Sequence, residues 1–213
     1  MRRLAPLVLA ILAFPSPALA QQGEPVTYSI SRDGAEIGKE VATLSAGDAS
    51  NPGGTTLVVR AHYPGSPRDS ALEAMLQRDG ARQFVLFQLD LHDESGGSTI
   101  LAAGSGARVI LRTDTPGSKA VREVPSGENV VLLDDHVLSL YQAVADLATP
   151  AGTRMVGIYP RGGRRVQFQA SRGNGDQARR ITLSGQLTGS LLVSESGRLV
   201  RAELPGGLVA AAR

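Results

Sequence analysis

Two short runs in the chain gather side chains that could hold a metal or move protons: His92-Asp93-Glu94 and Asp134-Asp135-His136. Each sets carboxylates beside an imidazole, donor types that suit a divalent cation. Drawn together, His92, Asp93, Asp135 and His136 would make a metal-assisted hydrolase site, the alternative reading of this chain. The spacing argues against it, because adjacent residues on a strand point to opposite faces whereas a metal needs convergent ligands. His92-Asp93-Glu94-Ser95-Gly96-Gly97 reads equally as a hairpin loop, and Asp134 or Asp135 as a helix N-cap whose carboxylate accepts orphan amide protons. No metal and no cofactor is expected.

Nucleophilic catalysis has no better footing. The imidazoles are His62, His92 and His136, no Gly-x-Ser-x-Gly elbow precedes a helical pattern, and Gly104-Ser105-Gly106 reads as a turn between strands. Cysteine is absent, which removes a thiol nucleophile, a thiolate metal site and a disulfide framework together. No catalytic residue is expected, and the chain reads as non-enzymatic.

The third chemistry is electrostatic. Arg154, Arg161, Arg164, Arg165, Arg172, Arg179 and Arg180 fall in one stretch relieved only by Asp176. Brought together by neighbouring hairpins, guanidiniums can grip a phosphate, an anionic lipid head group or an acidic partner. On the outer faces of strands, the same arginines would be solvated and would discourage edge pairing.

The elements that must position these groups are mostly strands. Val26, Tyr28 and Ile30 alternate with Thr27, Ser29 and Ser31 ahead of Asp33-Gly34, a hairpin dipeptide. Residues 70–78 carry helix formers, yet Arg78-Asp79-Gly80-Ala81 repeats the turn Arg32-Asp33-Gly34-Ala35 and Phe84 to Leu89 reads only as a strand, so a hairpin over Leu72 to Leu91 is favoured above a short helix. Further strands are expected near 99–103, 108–112, 120–124 and 129–133. After them comes a helix over Asp135 to Ala148, its Val137, Leu138, Tyr141, Val144, Ala145 and Ala148 at helical spacing. Strands resume near 154–159, 164–171, 179–183, 187–194 and 199–204.

The fold class is therefore mainly β. Residues 21–213 form one antiparallel meander of about ten or more strands, curled into a half-barrel or barrel with the helix packed against it. The space between helix and sheet is either filled core or a ligand cavity. Tyr28, Ile30, Phe84, Phe87, Leu138 and Tyr141 would line such a cavity, and Arg161, Arg164 and Arg165 would clamp a head group at its mouth.

Residues 1–20 read as a cleaved signal peptide. Arg2 and Arg3 precede an apolar run from Leu4 to Phe14, shorter than the ~20 residues a spanning helix needs, and Pro15 and Pro17 lead to Ala18-Leu19-Ala20. Cleavage after Ala20 would leave no transmembrane segment and no cysteine to lipidate. The charge balance of 22 basic and 20 acidic residues loses its two leader arginines, so no basic nucleic-acid surface is expected. The address is periplasmic or secreted.

Tyr28-x-Ile30-x-Arg32-Asp33-Gly34-x-x-Ile37-Gly38, then Leu132-Leu133-Asp134-Asp135 leading into Val137-Leu138-Ser139-Leu140-Tyr141, then Gly197-Arg198-Leu199-Val200-Arg201-Ala202-Glu203-Leu204-Pro205 together carry a resemblance. The chain resembles uncharacterised bacterial periplasmic proteins of a domain-of-unknown-function family, whose architecture is similar to the half-barrels of outer-membrane lipoprotein carriers. The resemblance implies a half-barrel in the cell envelope and brings no catalytic residue. The expected role is to bind a lipid or other apolar or amphiphilic ligand, or an envelope protein, with a structural part in envelope assembly as a further alternative.

Overall fold

The computed structural model describes residues 23–47, 51–64, 70–93, 96–105 and 107–213. The leader read at 1–20 lies outside them, as do Glu94 and Ser95 of the loop read at 92–97.

Alternation at period two builds the first half. In β1 (Pro25–Arg32) Tyr28 and Ile30 are buried while Ser29 and Ser31 are half-exposed. Asp33 and Gly34, at φ 51° and 83°, turn the chain into β2 (Ala35–Ala46), a left-handed geometry that Gly34 adopts without strain. Then come β3 (Thr55–Tyr63), β4 (Ser70–Arg78), β5 (Phe84–Asp93), β6 (Gly96–Ser105), β7 (Arg108–Thr115) and β8 (Ser118–Pro125), each pairing antiparallel with the one before. Residues 70–78 are a strand, as the hairpin reading expects. Leu72, Ala74 and Leu76 face the core while Ala71, Glu73, Met75 and Gln77 face out.

The second half runs β9 (Val130–Leu132), a helical segment, then β10 (Thr153–Tyr159), β11 (Arg164–Arg172), β12 (Arg180–Gly185), β13 (Gly189–Val193), β14 (Leu199–Leu204) and β15 (Leu208–Ala212). All join one 15-stranded sheet in the order β8-β7-β6-β5-β4-β3-β2-β1-β15-β14-β13-β12-β11-β10-β9. The sheet is antiparallel except where β9 lies parallel to β10. It curls without closing, and β8 and β9 are its edges.

This differs from a simple meander. β15, absent from the strands read in the sequence, sits at the centre of the sheet, with Tyr28 opposite Ala212 and Arg32 opposite Leu208. Its short Leu208-Val209-Ala210 run after Gly206-Gly207 gave little alternation to read. The two Arg-Asp-Gly-Ala turns also differ. At the second, the left-handed residue is Arg82 (φ 64°), and Asp79 Oδ1 accepts the Gln83 N–H at 2.9 Å, making a longer loop.

All three residues of β9 and Met155 to Tyr159 of β10 are buried, so these strands have protein on both faces. β9 also packs near β5, because the curl brings the β9 end over the first half.

The helix expected over 135–148 is shorter and of two kinds: a 3-10 turn at Leu138–Tyr141 and α1 (Gln142–Leu147). It lies against the concave face of the sheet. Leu138, Leu140, Val144 and Ala145 are fully buried, and Tyr28, Ile30, Phe87 and Leu89 from the sheet join them in one continuous core. No helix among the described residues is long and apolar enough to cross a membrane.

Candidate functional site

The residues that hold the helical segment in place also build a buried polar cluster inside the fold. In β2, Gly38, Glu40 and Ala42 point inward while Lys39 and Val41 point out. A hydrophobicity reading would invert this, since it buries the charged Glu40 (0 % exposed) and leaves Val41 on the surface (41 %). Glu40 repays its burial through the segment that follows Val137. Its Oε1 accepts the Leu138 N–H at 2.7 Å, its Oε2 accepts the Ser139 N–H at 2.9 Å, and Tyr63 Oη donates to Oε1 at 3.1 Å.

Neither Asp134 nor Asp135 caps the helical segment, contrary to the sequence reading. Asp134 Oδ1 accepts the His136 N–H at 2.8 Å, an Asx turn that delays the first helical residue to Leu138 and hands the capping role to Glu40. Asp134 is itself buried and pairs through Oδ2 with Arg161 Nε at 2.7 Å. His136 sits edge-on to the Tyr63 ring with centroids 5.6 Å apart. Glu40, Tyr63, Asp134, His136 and Arg161 thus form a chain of groups from the core to the rim.

The electrostatics follow from burial. Desolvation pushes the Glu40 carboxyl up, against the donors of Ser139, Leu138 and Tyr63 that favour its charged form. Desolvation also raises Asp134, opposed chiefly by the Arg161 guanidinium. His136 is held below its ordinary value by burial and then by the nearby Arg161 charge. The Tyr63 hydroxyl is raised by burial and by the Glu40 charge beside it.

The far end of the helical segment is held by cations. Arg172 Nη2 donates to the Ala145 carbonyl at 2.6 Å and its Nε to that of Ala148 at 3.3 Å, closing the C-terminal carbonyls of α1. Buried Arg78 on β4 pairs with Asp146, and Gln142 bridges Asp146 Oδ1 (2.7 Å) to the Gly197 carbonyl (3.0 Å) while accepting the Leu199 N–H (2.7 Å).

Two adjoining cavities open at the rim where this cluster reaches the surface. One, of about 310 Å³, is walled by Leu138 and Tyr141 of the helical segment and by Leu187, Leu204, Pro205 and Leu208. The other, of about 250 Å³, is lined by His136, Arg161 and Gly162. Asp134, Asp135, Tyr159 and Arg164 belong to both. The shared wall is ordered: Arg164 lies 3.7 Å over the Tyr159 ring and donates to Asp135 at 3.0 Å, and the Tyr141 and Tyr159 hydroxyls meet at 3.2 Å. One side is apolar and the other carries two arginines and two aspartates.

A wider groove of about 580 Å³ crosses β10, β11 and β12, with Arg154, Arg165, Gln167 and Gln169 around Val156 and Phe168. It is open to solvent, and Arg165 is engaged there in holding the Pro125 and Ser126 carbonyls at 3.2 and 3.5 Å. The rim cavities are more enclosed and gather the titratable groups, so the candidate site is placed there.

Of the residues expected to line a cavity, Leu138 and Tyr141 do so. Tyr28, Ile30 and Phe87 are buried in the core, and Phe84 packs on its margin. Tyr28 Oη donates to the Leu199 carbonyl at 2.7 Å, and burial pushes that hydroxyl up to about 12. Of the expected clamp, Arg161 and Arg164 stand at the rim and Arg165 on the other groove. The arginine-rich stretch is dispersed, with Arg172 under α1 and Arg179 beside Glu195 at 3.9 Å.

The metal alternative finds no support in the arrangement. His92 is on the outer face of β5 in register with Ala71, whereas His136 packs on Tyr63, an inward residue of β3. No group of three or more metal-ligating side chains occurs among the described residues. Sequence reasoning passed over Glu40, Tyr63, Tyr159 and Leu187. No local signal could have found Glu40, because hydrophobicity along β2 puts Val41 rather than Glu40 on the inward face.

No family model matches the chain, and no curated protein matches it. Among solved structures, that of a DUF1089-family protein from Pseudomonas aeruginosa is similar over 97 % of this chain and 98 % of its own, at 13 % identity and a TM-score of 0.45.

Proposed function

We propose that this is an exported, non-enzymatic binding protein of the cell envelope that takes an amphiphile of modest size at its rim. The observation that carries the reading is the pair of adjoining cavities with a common wall. Leu187, Leu204 and Leu208 offer an apolar seat, and Arg161 and Arg164 stand beside it for an anionic head group. The aspartates that pair with these arginines keep the rim neutral, and a ligand's anionic group competes with them.

The filled concave face sets the size of the ligand. A carrier that swallows several acyl chains needs the space that Leu138, Leu140, Val144 and Ala145 occupy here, so this site suits one short chain or the end of a longer one. The leader read at 1–20 supplies the compartment in this reading.

The test is displacement of a fluorescent naphthylamine probe by fatty acids of graded chain length, on the purified protein and on Leu204→Arg. Saturable displacement that Leu204→Arg abolishes, with unchanged far-UV circular dichroism, is the expected result. Probe binding equal in both proteins, or absent in both, overturns the reading.

A further inference from the structure

The two edges of the sheet are treated differently. β9 is three buried residues, whereas β8 is eight residues long and all but Val124 are exposed. Val121 at its middle is 70 % exposed, the highest of the exposed large hydrophobics. A long bare edge with an apolar centre pairs with another strand unless something prevents it.

The pattern along β8 says which strand fits. Gly117 and Pro125 bound the usable segment Ser118 to Val124, whose midpoint is Val121. An antiparallel copy centred on Val121 sets Val121 against Val121 and Lys119 against Glu123 twice over, all on one face. The ladder is then symmetric in shape and opposite in charge, as an isologous two-fold contact requires. A one-residue slip would set the Lys119-Val121-Glu123 face against the opposite face of the partner strand.

We propose that a second copy of this chain adds to the β8 edge, so that two 15-stranded sheets join across paired β8 strands in a two-fold dimer. Within one chain Lys119 lies 3.2 Å from Asp114 and Glu123 2.7 Å from Arg108, and all four side chains are more than a third exposed. Such solvated pairs hold little and leave both charges free to engage across the dimer. Arg122 points the other way, donating to the Gly162 carbonyl at 2.9 Å, and that contact steadies the edge from inside. The row of outward residues Leu101, Arg112 and Val121 continues across the axis into its own mirror sequence. This inference is independent of the rim site.

Sedimentation velocity over a concentration series tests it on the whole protein. The expected result is a monomer–dimer equilibrium that Val121→Lys shifts to monomer. Lys119→Glu alone and Glu123→Lys alone each weaken the dimer about tenfold, by turning two attractive pairs into repulsive ones. The double variant Lys119→Glu/Glu123→Lys restores it. Far-UV circular dichroism checks that each variant is folded. A protein that stays monomeric at every concentration overturns the proposal, and so does a dimer indifferent to Val121→Lys or to the charge exchange.

Discussion

The Glu40 carboxylate accepts the backbone N–H groups of Leu138 and Ser139, 98 and 99 residues further along the chain. A side chain from the second strand is thus the cap of a helical segment that its own neighbours leave uncapped. The same contact docks the segment at one depth and one rotation on the concave face. The rim cavities depend on it, since Leu138 and Tyr141 form part of their wall.

Replacing Glu40 by Ala orphans two buried amides and the Tyr63 hydroxyl together. The loss should be about 3 kcal/mol in denaturant unfolding. Tyr63→Phe removes one donor only and should cost about 1 kcal/mol. A Glu40→Ala variant within about 0.5 kcal/mol of the parent, below what a lost cap costs, would remove the cap from the account.

Folding stability should also carry a pH signature. A carboxyl raised in the folded protein keeps its proton there to higher pH than in the unfolded chain. Its stabilising share is complete below the ordinary value of 4.5 for Glu40, and it is lost as pH rises from there through the raised folded value. Asp134 acts in the same direction from 3.8 upward, and His136, lowered from 6.5, in the opposite direction below that value. Unfolding free energy measured against pH should fall less steeply above 4.5 in Glu40→Gln than in the parent. Identical slopes in the two proteins would mean that Glu40 does not titrate as its burial requires.

Gly38 precedes Glu40 on the same inward face, and a Cβ there would lie 2.5 Å from the Tyr63 ring and 2.7 Å from the His62 carbonyl. Gly38→Ala should push Tyr63 off Glu40 and cost about 2 kcal/mol, an overpacking penalty. Combined with Tyr63→Ala, its own cost should shrink, which a double-mutant cycle would read. Additive costs would place the strain elsewhere.

At the other end, Arg78→Met leaves Asp146 without its cation and should destabilise by about 2 to 3 kcal/mol. Asp146→Asn in that background should recover part of the loss, because the uncompensated charge goes with it. Thermal unfolding of the single and double variants distinguishes this from a simple packing defect, which Asp146→Asn would not relieve.

For ligand binding, Arg164→Ala should weaken fatty acids about five- to tenfold while leaving the matching alcohols unchanged, the size of effect expected for one partly solvated charge-assisted contact. Isothermal titration with the two series makes the comparison. Equal losses for acid and alcohol would mean that Arg164 acts only by stacking on Tyr159.

The sheet was legible wherever one face is wet. Tyr28 and Ile30 against Ser29 and Ser31, and Leu72 to Leu76 despite their helix-forming neighbours, declare their strands by alternation. The helix was legible in its apolar spacing and misjudged in its start, because Asp134 spends its carboxylate on His136. Glu40 was illegible because local pattern puts a charged residue outside, and only a distant pair of amides makes its burial tolerable. The rim site was half legible for a similar reason. Leu138 and Tyr141 stood out on the helical stripe, but their neighbours Leu187, Leu204 and Leu208 come from strands whose convergence no spacing announces.

The place of β15 beside β1 has a consequence for how the chain acquires its structure. β1 is held by β2 on one side and on the other by Leu208 to Ala212, a strand at the far end of the described residues. Until that strand arrives, the middle of the sheet has an unsatisfied edge, and neither half can complete its core against the other. Pairings this distant in sequence make folding slow, so closing the β1–β15 ladder should be a late step in forming the sheet.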